Sequence, residues 1–236
     1  MATSYEQRQA QMESWYDQLL NRDDREAVLL EDYAPYATEL RELNGHIVDI
    51  GGGAGVSARF LDPAVDLVVV EPAASWQTPE WMAFGEKFRR SGPVPQFVHA
   101  PGEALPFADG EFDAALSFWT LNHVADIGRC VDEMARVLRP GGVAFLVIDD
   151  IEPSWLDLAR EAFPRVVARL RNGTYEARIL KPLRGALREK WRGDWRIQPD
   201  HLRIEESRLL DMLAKQFRLE RRQWVAGSLK YRLTRT

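Results

Sequence analysis

Apolar positions along the chain recur in two rhythms. Residues 5–43 carry Trp15, Leu19 and Leu20, then Val28, Leu29 and Leu30, at helical spacing. A break falls near Asn21–Asp24, and Asn44-Gly45 closes the region. Short continuous apolar runs then take over. Ile47 to Ile50 precedes Gly51, Leu67 to Val70 precedes Glu71, and Phe97-Val98 precedes His99; Ala114–Phe118 and Val143–Ile148 continue the series. Between them 54–61, 76–90 and 126–139 are helix-compatible. In the last, Asp126 is the N-cap, Ile127, Val131, Met134 and Val137/Leu138 form the stripe, and Pro140-Gly141-Gly142 is the stop. Strands apolar on both faces that alternate with helices predict a doubly wound α/β fold, its parallel sheet covered on both sides.

The rest reads differently. Residues 154–171 and 206–216 are helical in pattern, whereas 174–203 mixes Trp, Arg, Gly and Pro without a clean period. The end reads as two strands joined around Ala226-Gly227-Ser228. The organisation expected is an N-terminal helical cap (1–44), a ligand-binding core (45–153), an insertion after the fifth strand (154–205), and a final helix with a hairpin (206–236).

Composition narrows the class. The 236 residues are 45% hydrophobic and 28% charged, with one cysteine, Cys130, which excludes an internal disulfide and a multi-cysteine metal site. No apolar run approaches the ~20 residues of a membrane span. The polar, acidic N-terminus is unlike a signal peptide, so a cytoplasmic location is expected. His46, His99, His123 and His201 show no H-x-x-x-H spacing, so no metal site is expected. The formal charge of −5 conceals a division: residues 1–153 carry a net −15 and residues 154–236 a net +10. Such a split suits an anionic ligand near the C-terminal third, or two parts that attract each other or solvate separate faces.

The densest chemical signal is Val48-Asp49-Ile50-Gly51-Gly52-Gly53-Ala54-Gly55. A strand running into four glycines within five residues leaves backbone open to a ligand at the carboxyl edge of the sheet. A mononucleotide P-loop needs Lys-Ser/Thr after the last glycine, and Val56-Ser57 stands there instead. A dinucleotide fingerprint is formally met by Gly53, Gly55 and Ala58, with Gly51 and Gly52 left over. The third candidate, D-x-G-x-G-x-G over Asp49, Gly51, Gly53 and Gly55, resembles motif I of the class I S-adenosylmethionine-dependent methyltransferases. Glu71-Pro72 at the end of the next strand suits the vicinal hydroxyls of a ribose, in NAD and S-adenosylmethionine alike. The segment that separates them is Glu103-Ala-Leu-Pro-Phe107, Phe112-Asp113, His123-Val124 and Glu133-x-x-Arg136-Val-Leu-Arg-Pro-Gly-Gly142. In that order and spacing it resembles the methyltransferase type 11 group.

The resemblance spans about residues 45–148 and implies a seven-stranded, mostly parallel sheet with an antiparallel last strand. It implies S-adenosyl-L-methionine as cofactor, with Asp49, Gly51, Gly53, Gly55, Glu71, Pro72, Gly102, Glu103, Ser117 and Trp119 around it. Tyr16, in a helix resembling the one that caps the pocket, joins them or anchors that helix in the core with Trp15. One departure stands out: Pro101 occupies the place of an acid that usually meets the adenine amino group, leaving adenine to backbone near Gly102 and Glu103.

Methyl transfer is an in-line displacement, so the protein chiefly positions its reactants. His123, after the fourth strand, and Asp149, ending the fifth, are candidates for a general base; Asp150 is a candidate for acceptor binding. Each also has an ordinary structural reading. The insertion holds Trp155, Trp191, Trp195 and His201 among Arg184, Arg188, Lys190, Arg192 and Arg196. Aromatic faces with guanidinium groups, chiefly Arg188, Trp191, Arg192 and Trp195 with His201, suit a small-molecule or glycan-linked acceptor, anionic in character. O-methylation of such an acceptor is the expectation. The alternatives are a non-catalytic nucleoside-binding partner protein and an RNA methyltransferase. A sequence pI of about 5.5 speaks against nucleic acid.

Overall fold

The computed structural model describes residues 5–88, 92–172, 177–193, 195 and 197–236. Arg196, one of the cations expected at the acceptor site, lies outside them.

The N-terminal cap is α1 (Tyr5–Leu20), α2 (Arg25–Tyr33) and α3 (Ala37–Arg41), broken at Asn21–Asp24 as expected. The strands are β1 (His46–Ile50), β2 (Asp66–Val70), β3 (Gln96–Val98), β4 (Phe112–Phe118), β5 (Leu138–Ile148), β6 (Phe217–Val225) and β7 (Ser228–Arg235). They form one seven-stranded sheet in the order β3-β2-β1-β4-β5-β7-β6. The first five run parallel, and β7 lies antiparallel between β5 and β6. The order reverses between β1 and β4, which leaves a crevice at their carboxyl ends.

Alternate residues of the buried strands feed two cores. Val48, Ile50, Val68, Val70, Ala115 and Leu146 face one side; Ile47, Leu67, Val69, Leu116 and Phe145 face the other, with Leu19, Tyr33 and Tyr36 of the cap. The first core is covered by α5 (Ile127–Val137), through Cys130, Val131, Met134 and Ala135, and by α8 (Glu206–Leu213), through Leu209 and Leu213. Asp126 caps α5 as expected, its Oδ1 accepting the Arg129 N–H at 3.0 Å.

Several expectations are corrected. The 54–61 helix is a 3₁₀ turn, Val56–Arg59. The 76–90 stretch divides into a 3₁₀ turn, α4 (Pro79–Gly85) and a second 3₁₀ turn, Glu86–Phe88. Helix α5 ends at Val137, before Pro140-Gly-Gly, because Leu138 is extended and pairs with Phe112. The three residues instead fall in a register shift inside β5. Strand β3 is an edge strand with Phe97 exposed, not apolar on both faces. Trp15 is 47% exposed and is no core anchor, whereas Tyr16 turns inward. The hairpin turn is Ala226-Gly227 alone, both at positive φ, with Ser228 already paired to Val225.

The insertion is two helices, α6 (Trp155–Asn172) and α7 (Ala177–Arg192). Helix α7 falls where the pattern is aperiodic: over its described side chains, 183–192, it buries Leu183 and Ala186 and exposes Leu187 and Trp191. Arg222 on β6 anchors the arrangement. It donates to Asp157 of α6 at 2.6 Å and to Glu206 of α8 at 2.5 Å, and Tyr231 donates to the same Glu206.

Candidate functional site

Three segments converge on the carboxyl edge of β1, β2, β4 and β5. The first is the glycine loop. Gly51 turns the chain at φ +70°, donating to the Val70 carbonyl at 2.7 Å. A Cβ there would stand 2.4 Å from Thr120 Oγ1, and one at Gly53 (φ +52°) would stand 2.9 Å from the Trp76 ring. Both conformation and space therefore demand glycine. Gly55 is left-handed as well (φ +72°).

Two acids support this loop. Asp49 is fully buried; Ser57 donates to its Oδ2, and Oδ1 has no partner. Burial pushes its pKa up to about 6. Glu71 Oε2 accepts the Gly53 N–H at 3.2 Å and Oε1 the Ala73 N–H at 3.0 Å. Burial pushes Glu71 up to about 7, against the opposing effect of those two bonds. Each oxygen keeps a lone pair for a hydroxyl donor. Pro72, half-buried, follows directly.

An aromatic cover closes over the loop. Tyr16 of α1 meets Trp76 edge-on at 4.3 Å, and Trp76 lies 4.0 Å from Trp81 between ring centroids. The Trp76 Nε1 donor is buried without a partner. An orphaned donor and the orphaned Asp49 oxygen, beside a backbone that tolerates no side chain, fit a polar ligand threaded along the loop. The residues present fit S-adenosylmethionine in this respect.

The second segment, around Gly102 and Glu103, is largely architectural. A Cβ at Gly102 would stand 2.9 Å from Cys130 Sγ, so this glycine admits α5. Glu103 Oε1 accepts the Ala125 and Asp126 N–H groups at 2.6 and 3.1 Å, which ties this carboxylate to the start of α5. The Glu133-x-x-Arg136 pair is a staple. Arg136 donates to Glu133, to Asp109 and to the carbonyls of Leu105 and Phe107, while Glu133 accepts the Leu105 N–H. Ser117 is enclosed within β4, 1% exposed. Trp119 turns its Nε1 toward Ser228 Oγ at 3.1 Å and packs against Tyr33.

The third segment is an ionisable cluster beyond β4 and β5. Trp119 (φ +56°) and Asp150 (φ +57°) hold left-handed conformations at the two strand ends, a strain that concentrates at functional sites. The Leu202 N–H donates to the Asn122 carbonyl at 2.8 Å and lays the 197–202 segment across β4. That contact brings the His201 ring to 4.5 Å from His123, edge-on. His201 Nδ1 lies 2.8 Å from Asp150 Oδ2 and 3.6 Å from Asp149 Oδ1. Gln9 of α1 donates to the His123 carbonyl at 3.0 Å, bracing the cap on this cluster.

These groups have different proton affinities. Burial, and then the neighbouring His201, push His123 down to about 4, so it is neutral and a weak base. Burial also works against charge on His201, but Asp150, Asp149 and Asp200 outweigh it and raise its pKa. Burial lifts Asp149 to about 6, against the lowering influence of His201. Among the described residues, His123/Asp200/His201 and Asp149/Asp150/His201 each place three metal-ligating atoms within 4.8 Å of one another. Sequence spacing cannot detect such a set, because its members come from separate segments. The second set is equally the arrangement of a histidine base held by carboxylates.

A cleft of about 410 Å³ opens beside this cluster, lined by Asp150, Trp195, Gln198, Gly185, Ala186 and Glu189, with Trp224 and Gly227 behind. Asp150 and Trp195 were expected at the acceptor site, and the Trp195 Nε1 donates to the Asp150 carbonyl at 3.1 Å. Arg188, Trp191 and Arg192 are not among the lining residues and stand exposed on the outer side of α7. Glu189, Gln198 and Trp224 were not anticipated. Glu189 had a signal, as the single acid in α7.

Residues 48–146 match the family model of a methyltransferase domain. An uncharacterized methyltransferase of Mycobacterium sp. (strain JLS) is 38% identical over 124 residues, 52% of this chain and 46% of the relative. One from Mycobacterium tuberculosis is 40% identical over 101 residues, 42% of this chain and 37% of the relative. The matched part thus spans about half or less of these relatives' length. In fold the chain is similar to a SAM-dependent methyltransferase of Aquifex aeolicus (TM-score 0.58, 14% identity, 92% of this chain and 95% of the other). It is likewise similar to the N-methyltransferase NodS of Bradyrhizobium japonicum, solved with S-adenosyl-L-homocysteine (TM-score 0.56, 15% identity, 93% and 95%). No described helix is long and apolar enough to cross a membrane.

Proposed function

Residues 48–146 match a methyltransferase domain, and we propose that this protein is a class I S-adenosylmethionine-dependent methyltransferase that transfers a methyl group from that cofactor to a hydroxyl of a small, polyhydroxylated or glycan-linked acceptor. The observation that carries the cofactor half is Glu71. Its carboxylate is held by the glycine loop's own N–H at Gly53, which joins a ribose acceptor and a side-chain-free loop into one surface. When bound, S-adenosylmethionine supplies an electrophilic methyl group, and the chain's tasks are binding, orientation and proton removal. Glu71 accepts the ribose hydroxyls, and the Gly51–Gly55 backbone lies close along the ligand. Adenine falls to backbone groups near Gly102 and Glu103, since Pro101 stands where an acid would meet its amino group.

The acceptor half rests on the cleft. Among the described residues its ionisable lining side chains are Asp150 and Glu189, which accept hydrogen bonds from hydroxyls and repel an anion. A neutral polyol suits it better than an anionic acceptor. His201 stands behind Asp150 and not on the cleft wall; its Nδ1 faces Asp150 and Asp149, so Nε2 takes the acceptor's proton and the two carboxylates stabilise the imidazolium. His123 packs against His201 and sets its position.

The test is an acceptor screen with S-adenosylmethionine, read as one-methyl mass gain together with release of the demethylated cofactor. The reading requires both, with the methyl on oxygen. Methyl on nitrogen of every converted acceptor would overturn the acceptor half. Cofactor binding without turnover on any acceptor would favour the non-catalytic alternative.

A further inference from the structure

Half of the large apolar side chains that stand exposed among the described residues lie on α6 and α7: Trp155, Leu156, Phe163, Leu187 and Trp191. Leu156 and Phe163 are seven residues apart, and Leu187 and Trp191 four apart, so each pair shares one helix face. Trp191 is 83% and Phe163 70% exposed, although large aromatics are highly buried on average. Trp155 meets Trp191 edge-on at 6.4 Å, which joins the two faces into one patch. Lys190, ion-paired with Glu152, lies over the Trp155 ring and fixes it. A patch of this kind on a protein surface marks an interaction site.

Charge identifies the partner. Helix α7 has six cations and one acid, and Arg188 and Arg192 are exposed beside Trp191. Aromatic and aliphatic side chains flanked by arginine on one side of a helix are the signature of an interfacial helix. We infer that the outer face of α6 and α7 docks on the surface of an anionic lipid bilayer, with Trp191, Phe163 and Leu156 in the acyl boundary and Arg188 and Arg192 at the headgroups. Residues 1–153, net −15, are repelled by such a surface and turn away from it, which orients the molecule. Nucleic acid fits less well, because Leu156 and Leu187 offer no stacking surface and the two tryptophans pack against each other. The opposite side of α7 carries Ala186 and Glu189 into the cleft, so docking brings the cleft's rim to the bilayer.

Co-sedimentation of the full chain with vesicles tests this, using phosphatidylcholine–phosphatidylglycerol mixtures against phosphatidylcholine alone. Binding is expected to the anionic vesicles and to fall as salt rises. Trp191→Ala and, separately, the Arg188→Ala/Arg192→Ala pair should each lower partitioning by about fivefold or more while thermal unfolding stays unchanged. Equal binding to both vesicles, binding to neither, or unchanged partitioning in both variants overturns the inference. So does single-stranded RNA binding, or self-association in the centrifuge, that these variants abolish while vesicle binding is absent.

Discussion

Glu71 Oε2 accepts the Gly53 N–H at 3.2 Å, so the acid ending β2 and the loop following β1 form a single element. The arrangement is costly. Glu71 and Asp49 are pushed by burial to about 7 and about 6, while their ordinary values are 4.5 and 3.8.

A pH dependence of stability follows from those shifts. Between the ordinary and raised values the folded protein holds more protons than the unfolded one, so stability falls as pH rises from about 4 to about 7 and levels off above. Asp149, lifted to about 6, acts in the same direction, while His123, pushed down to about 4, acts in the opposite one and is outweighed by the three acids. Denaturant unfolding of the ligand-free protein should therefore give a higher midpoint at pH 5 than at pH 8. Asp49→Asn should reduce the difference by about 1 kcal/mol. A profile that rises across this range would show that these carboxylates are not buried as described.

Gly53→Ala tests the loop more locally. The new methyl group meets the Trp76 ring at 2.9 Å in a left-handed backbone. The backbone alone should cost about 1–2 kcal/mol, and Trp76→Ala in the same chain should recover the steric part. Cofactor affinity should fall at least tenfold in the folded single variant. Normal affinity there contradicts the loop as the binding surface.

Proton transfer separates the two histidines. His201→Ala should cost about 10²–10⁴-fold in turnover with cofactor affinity unchanged, and His123→Ala much less. Asp150 raises the His201 pKa, so Asp150→Asn should move the acid limb of kcat/KM to lower pH. If His123→Ala proves the more damaging change, the base assignment reverts to His123.

The cleft's acids predict the acceptor's response. Glu189→Ala should raise the acceptor KM severalfold and leave cofactor affinity as it is. Arg188→Ala/Arg192→Ala should leave the turnover of a soluble acceptor unaltered, because neither side chain lines the cleft. A reversed pattern would restore the anionic acceptor.

The centre of the sheet was legible because β1, β2, β4 and β5 hold apolar runs, three of them running into a glycine or an acid, and a run such as Leu67–Val70 allows little but a buried strand. The glycine loop and Glu71 were legible for a related reason: three positive-φ glycines leave few alternatives. The Glu133–Arg136 pair was visible as a resemblance, yet its physical role, stapling α5 to the Leu105–Asp109 loop, needed coordinates. The His201–Asp150 pairing was not legible, because fifty-one residues separate the partners and only the Leu202–Asn122 backbone bond brings them together. Arg188 and Arg192 misled for the opposite reason. Composition assigns them to the same insertion as the cleft but does not say which side of α7 they occupy.

The central claim is that Glu71 and the glycine loop bind S-adenosylmethionine. Titration calorimetry at pH 8, where Glu71 is ionised, tests it with that cofactor and with NAD on the wild type and on Glu71→Ala. The account predicts one site for S-adenosylmethionine, tighter than for NAD, and weakened by about 1–3 kcal/mol in the variant. Tighter binding of NAD, or unchanged affinity in a folded Glu71→Ala protein, would contradict it.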